Sequence, residues 1–438
     1  MTLTSAVASK ARLQIGRLRQ LLGYSLAVGS SAIVTLITIP IVVDRAGPTA
    51  WASLALGQAV GTGCAIVVGF GWGITGPTQV AISAEGERVR LYSDSLLARS
   101  ALVLPILIAA VSFTRVAAHT YKLEAGIAAA AFTLTGLLAG WYFTGAAKPY
   151  SLLVFETAPR VMGTAAGAVA LLMGAGLVAF PLLQLLGVMG SIAASTGKIC
   201  GWRVREIVRP GRSVWPLLRA QSRGLFIAGG SAIFTTAPIS IVALVAPSGL
   251  PTYALADRVL RFSMTAFAPF IQVLQGWVPR SDLAVTRRRI RVALTFGGLS
   301  ISLAAALFVA ALPRFATLLS RGQIRTDFDL SLPFGITLGS MLMAQVTGLV
   351  CLIALGRSIR LAQLTVLSVS VGIPSVLVGA LLFGVHGAAW ALAFSELFSL
   401  ALQIILLLSV INWDGDQLDE IQLDAPQAIN GRVSKEPE

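Results

Sequence analysis

The sequence predicts an all-α integral membrane protein, on three observations. Apolar runs of roughly 18–26 residues recur about a dozen times between residues 21 and 411, each closed by a short polar or basic break. A bilayer core about 30 Å thick needs about 20 apolar residues in a helix, so each run is long enough to cross. Hydrophobic residues make up 56% of the chain and charged residues 12%, well under the roughly 25% charge of a soluble domain. Backbone groups in lipid must satisfy one another, which makes a helix the fold of each run.

The runs place twelve spans at about 21–43, 51–79, 95–113, 125–144, 151–173, 176–200, 224–246, 252–279, 292–312, 333–354, 361–382 and 387–411. The second is long for one helix. It holds Gly69, Gly71, Gly73, Gly76 and Pro77, so its far end is predicted to be broken. Small residues let helices approach closely in lipid. Gly57/Gly61, Gly136/Gly140, Gly163/Gly167 and Gly335/Gly339 therefore mark packing faces.

Charge orients the chain. Of 33 Lys and Arg, 22 fall in connections on the side of the N-terminus and six on the opposite side. Cytoplasmic loops carry that excess, so both termini are expected in the cytoplasm. Residues 1–20 form a basic segment suited to anionic lipids. Residues 21–200 make a first lobe of six spans and 224–411 a second. Residues 201–223, with Arg203, Arg205, Arg209, Arg212, Arg219 and Arg223, make a basic cytoplasmic linker between them. Residues 412–438 are an acidic, disordered tail. No cleavable signal peptide is expected, because the first run is too long for one.

The halves repeat. Gly29-Ser30-Ser31-Ala32-Ile33-Val34-Thr35 matches Gly229-Gly230-Ser231-Ala232-Ile233-Phe234-Thr235. Gly47-Pro48-Thr49-Ala50-Trp51-Ala52 matches Gly249-Leu250-Pro251-Thr252-Tyr253-Ala254. Six spans repeated in one orientation give two lobes related by a pseudo-two-fold axis, a transporter plan with its site between them. Pro40 and Pro238, in the equivalent first and seventh spans, are hinge candidates, since proline bends helices.

Several functions are excluded. Cys64, Cys200 and Cys351 form no disulfide framework, and His119 and His386 form no metal motif. No nucleotide, zinc or serine-hydrolase fingerprint occurs, so no metal, cofactor or enzymatic activity is expected. The net charge of +14 lies in short connections, which speaks for membrane orientation and against a nucleic-acid partner.

Four segments resemble a known family. They are AGPTAWASLALGQAV at 46–60, GFGWGITGPTQVA at 69–81, GWYFTGAAKPYSLLVFETAPRV at 140–161 and YALADRVLRFSMTAFAPFIQVLQGWVPR at 253–280. They are similar to the polysaccharide (O-antigen type, Wzx-like) flippases of the multidrug/oligosaccharidyl-lipid/polysaccharide exporter superfamily. The likeness spans the chain, though each motif is degenerate. It implies a bacterial inner-membrane protein, monomeric, with no cofactor. Its substrate would be an undecaprenyl-pyrophosphate-linked glycan, moved from the inner to the outer leaflet for cell-surface polysaccharide biosynthesis. Polysaccharide polymerase and export machinery would be its partners.

Charge inside a membrane is costly and marks function or a watery cavity. Asp257, Arg258 and Arg261 cluster in the eighth span, with Asp257 and Arg261 at i, i+4 on one face. A pyrophosphate needs a cation in its path, and guanidinium binds phosphate bidentately, so Arg258 or Arg261 is the expected ligand, tempered by Asp257. The alternative is a self-neutralising structural pair. Glu396, alone in the twelfth span, is a candidate coupling-ion or proton site, with Asp257 a second; a polar contact between helices is the alternative. Glu156 and Arg160 are a candidate inner-mouth pair, or an ion pair at the interface. Gln58, Gln272 and Gln275 are candidate sugar contacts or helix-to-helix bonds. Arg99 and Lys198 are expected to snorkel to the interface.

Two other functions compete. A cation-coupled multidrug exporter of the same superfamily would line its cavity with acids, whereas this cluster is net positive. A membrane glycan polymerase or ligase would need a catalytic outer loop; the longest here, 313–332, places no general base beside a partner.

Overall fold

A computed structural model describes residues 23, 26–27, 29–201, 214–278 and 283–413. The protein is a multi-pass membrane protein, all-α, with no strand among the described residues. The expected segment 1–20, most of the linker and the tail from 414 lie outside those residues.

Among the described residues, twelve helical passes run in two halves. The first begins with α1 (Gly29–Ala46). Gly47, at φ +89°, turns the chain into α2 (Pro48–Gly69), with proline at the position where its missing N–H costs nothing. The sequence places a break at the end of this span, and it falls at Phe70 (φ +45°) and Gly71 (φ +85°). Two successive left-handed residues stop α2 and re-aim the chain into α3 (Trp72–Ile82). There follow α4 (Glu85–Ala117), α5 (Lys122–Leu134), the short α6 (Gly140–Gly145), α7 (Ala158–Leu172) and α8 (Ala179–Cys200). The second half holds α9 (Val214–Val245), α10 (Leu250–Trp277), α11 (Leu283–Leu319) and α12 (Phe328–Ala344). One hydrogen-bonded run then folds at Phe383 and Gly384 into α13 (358–382) and α14 (385–413).

Three expectations shift. The α9 helix starts ten residues before 224, because Val214, Leu217 and Leu218 turn an apolar face onto the core of the first half. The α4 and α11 helices run beyond 95–113 and 292–312, since apolar runs reveal only the part of a helix that meets lipid. The fourth span is not one helix: a 3-10 turn at Thr135–Leu137 and the non-helical Leu138 and Ala139 divide α5 from α6.

The repeat is visible in the fold. Gly47 precedes α2 and Gly249 precedes α10, and each helix carries a buried aromatic residue one turn in, Trp51 and Tyr253. Pro40 and Pro238 sit inside α1 and α9.

Small residues set the packing. A Cβ on Gly57 would strike the carbonyl of Ala125, and one on Gly61 would lie 2.5 Å from that of Ala129, so α2 and α5 touch backbone to backbone. Gly163 faces Gly187 on α8, and Gly335 faces Val309 on α11. Gly57→Ala is expected to cost about 1–3 kcal/mol by overpacking, read as a lowered melting temperature in detergent. Gly29→Ala, with nothing within 4 Å, leaves that temperature unchanged.

The halves meet where α9 and α10 pack on α2, and α9 also on α3 and α4. At one face Arg321 Nη1 donates to Asp44 Oδ2 across the halves at 2.6 Å. At the other face Gln221 of α9 bonds Thr75 and Gln79 of α3. The apolar core is divided. One cluster runs through both halves; a second gathers the ends of the first-half helices with the start of α9.

Candidate functional site: a cationic cavity between the halves

The site begins on α10. Asp257 and Arg261, one turn apart, share a face and form a bidentate pair: Nε donates to Oδ2 at 2.7 Å and Nη2 to Oδ1 at 2.9 Å. The fork of the guanidinium matches the carboxylate, so the charges cancel where they stand. Tyr253, one turn earlier, is buried against Phe334 of α12 with ring centroids 5.2 Å apart.

Arg258 projects about 100° from that pair, as a helix of 3.6 residues per turn requires. It reaches across into the first half. Its Nη2 donates to Oε1 of Gln58 on α2, and its guanidinium lies 5.7 Å from the centre of the Trp51 ring. Gln58 extends a looser chain: its Nε2 points to Gln184 Oε1 at 3.5 Å, and Gln184 Nε2 to Thr164 Oγ1 at 3.5 Å. Four helices, α10, α2, α8 and α7, are thus strung on one polar thread.

That thread borders two cavities. A small one of about 70 Å³ is lined by Asp257, Arg258 and Arg261 with Gln58 and Thr62. A larger one of about 300 Å³ lies in the first half and shares Gln58, Thr62 and Arg258 with it. Arg160 lines the larger cavity, together with Ser31, Thr35, Thr38, Gln184 and the rings of Trp51, Phe132 and Phe180. No acid is among the described residues that line it. Two guanidinium groups, several hydroxyls and amides, and aromatic faces suit an anionic head group bearing sugars.

The other candidates fall in different places. Glu156 and Arg160 make no ion pair. The stretch Leu152–Thr157 is a π-helix, and Glu156 at its end lies against Gly140 of α6 while Arg160 faces the cavity. The carbonyls of the wide turn are met by α8: Ser191 donates to Glu156 O at 2.7 Å and Ser195 to Phe155 O at 3.2 Å. Gln272 and Gln275 are exposed near the end of α10, away from both cavities. Glu396 lines a third cavity of about 320 Å³ in the second half, with Gln345, Thr365, Ser368, Ser399 and Gln403.

Arg99 does not snorkel. It is 1% exposed, and its Nη1 donates to the carbonyls of Gly136 (2.9 Å) and Leu138 (3.0 Å) at the break in the fourth span. The break needs this. A carbonyl freed from its helix inside a membrane costs several kcal/mol if it stays unbonded. Arg99 meets the carbonyl end of α5, a charge opposite in sign to the helix end it faces, and the Glu156 side chain lies against Gly140 at the start of α6. Gln184 is a functional candidate the sequence reading passed over; its signal was the same as that of Gln58, an amide in an apolar run.

The overall arrangement has counterparts. A lipid II flippase, MurJ, in an inward closed conformation, superposes with a TM-score of 0.61 at 13% identity, covering 92% of this chain and 93% of that one. An outward-facing multidrug resistance MATE family transporter of the MOP superfamily gives 0.56 at 12% identity, over 92% and 96%. A MATE structure in the bent conformation gives 0.52 at 12%, over 91% and 96%. The fold is the one these transporters share. No family model and no curated protein matches the sequence. The MOP-type fold supplies the two six-helix lobes, and at these identities it fixes the fold alone.

Proposed function

We propose that the protein is a MOP-superfamily flippase that carries an undecaprenyl-pyrophosphate-linked oligosaccharide from the inner to the outer leaflet, for cell-surface polysaccharide. The observation that carries this reading is the pair Arg258 and Arg160, which reach one intramembrane cavity from opposite halves, with no acid among the described residues that line it. Arg261 is already neutralised by Asp257 and serves as support, so Arg258 is the main pyrophosphate ligand and Arg160 the second. The hydroxyls and amides of the cavity take the first sugars, and the polyprenyl tail stays in lipid. The two lobes rock to present the cavity to either leaflet. The excess of basic residues on one side supports cytoplasmic termini, and the proposed substrate implies a bacterial inner membrane. Anionic lipids hold the basic connections, and polysaccharide polymerase and export machinery take the product. The protein works as a monomer.

A leaflet assay in inverted vesicles tests the reading, with a lipid-pyrophosphate oligosaccharide and purified protein. Protein-dependent arrival of sugar on the far side supports it. No movement of sugar, with a cationic dye extruded instead, overturns it in favour of multidrug export.

Glu396 has a second role in this scheme. Among the described residues its carboxylate has no hydrogen bond or ion pair, and it faces a polar cavity separate from the arginines. It is the site for a coupling sodium ion or proton. Glu396→Gln is therefore expected to leave substrate binding within about twofold and to remove the dependence of flipping on an imposed gradient. Flipping still driven by that gradient in the variant would exclude Glu396 from coupling.

A further inference from the structure

Two helix breaks lie side by side in the first half. The α2–α3 break is at Phe70 and Gly71, and the α5–α6 break runs from Thr135 to Ala139. Gly136 packs against the carbonyl of Ala65 and the side chain of Val68, so the two interruptions stand at one level. Thr135 also lines the cationic cavity, which puts that level at the cavity edge.

Beyond the breaks, α3 and α6 are cemented together. The Trp141 ring lies on Gly76, where any Cβ would strike it. Gly145 likewise lies on the Pro77 carbonyl, and a Cβ there would be 2.8 Å from the Val80 side chain. The second apolar cluster encloses both short helices and is separate from the main core. The pair meets the second half through the apolar side chains of Val214, Leu217 and Leu218 at the start of α9 and through one polar clasp. The Thr75 hydroxyl donates to Gln221 Oε1 at 2.5 Å, and Gln221 Nε2 donates to Gln79 Oε1 at 3.3 Å. Gln221 is buried, on the first turns of α9 beside Leu217 and Leu218.

We propose that α3 and α6 form one rigid flap, hinged at Phe70–Gly71 and Thr135–Ala139, that shuts the cavity by clasping Gln221 of α9. A helix cannot bend sharply without breaking its ladder. Here the ladder is already open in two adjacent helices at one height, and the freed carbonyls of Gly136 and Leu138 are bonded by Arg99. Motion about these points leaves every intact helix straight. It also differs from rocking of whole lobes, because it changes distances within the first half.

Spin labels at Ile82→Cys on α3 and Leu123→Cys on α5 read that difference; both positions are exposed. The chain is reconstituted whole, with Cys64, Cys200 and Cys351 replaced. A second pair, Leu123→Cys and Phe328→Cys, spans the two halves. Gln221→Ala is expected to raise the population of a second Ile82–Leu123 distance about tenfold, shifted by on the order of 5 Å. Should that variant fail to fold, Thr75→Val removes the shorter bond with a side chain of the same shape and gives the same readout. An unchanged Ile82–Leu123 distance in the folded variants, with or without movement of Leu123–Phe328, overturns the flap. No substrate enters this measurement, so a failed flippase assay leaves its outcome intact.

Discussion

Arg258→Ala is expected to lower flipping of a lipid-pyrophosphate substrate by about 10- to 100-fold, the equivalent of one charge-assisted hydrogen-bonding group. The side chain has an alternative partner in Gln58, so the empty site is not left with an unsatisfied charge. An arriving phosphate competes with a neutral amide, and a guanidinium prefers the anion. The same event loosens the contact between α10 and α2. Arg258→Lys keeps the charge and loses the fork, and an intermediate rate is expected. Arg261→Ala should behave differently. It strips Asp257 of its partner in a site where only Asp257 and Arg258 remain, and removing one member of such a pair costs about 2–4 kcal/mol after allowance for the partial exposure of Arg261. Its signature is a lower melting temperature, largely restored in Asp257→Asn/Arg261→Gln. A rate for Arg258→Ala equal to that of the unaltered protein in the leaflet assay would remove this residue from the site.

Arg99→Ala is expected to be the most destabilising single change, at about 3–5 kcal/mol. Three losses coincide. The carbonyls of Gly136 and Leu138 lose their donor inside the membrane, the Trp141 ring loses the guanidinium 5.7 Å from its centre, and a large buried side chain leaves a void. Thermal unfolding in detergent measures the effect, and surface yield in cells should fall with it. Glu156→Gln is the milder counterpart, because the amide keeps the shape of the side chain that packs against Gly140. An Arg99→Ala protein that melts with the unaltered one would show that the break holds itself open.

The fold was legible because lipid permits so little. Apolar runs of one length leave no fold but the helix, and glycine spacing such as Gly57/Gly61 marks the face that touches a neighbour. The charge cluster on α10 was legible for the same reason, since three ionisable residues within two turns stand out against Val, Leu and Phe. Their partners were not legible. Nothing in spacing says that Arg258 leans toward Gln58, 200 residues away, whereas Arg261 turns back to Asp257. Nor does it say that Arg160 joins Arg258 in one cavity. Glu156 misled because i, i+4 spacing assumes an unbroken α-helix; the π-turn at Leu152–Thr157 rotates it toward α6. Arg99 misled because a cation near the end of an apolar run usually extends to water, and the demand of a broken helix in the next pass, 37 residues away in sequence, is invisible in the run itself.

The two faces of the molecule are fastened by unlike chemistry. Asp44 and Arg321 are full charges in reach of solvent, a pair of a kind worth about 0–1 kcal/mol and dimmed by ions within about 8 Å at physiological strength. The clasp on Gln221 is neutral and shielded, and dissolved ions do not touch it. One side of the protein therefore answers to the medium it faces, while the opposite side is deaf to it. A change of salt shifts the resting balance in a single direction, as a door with one weak spring swings toward the street and not the room.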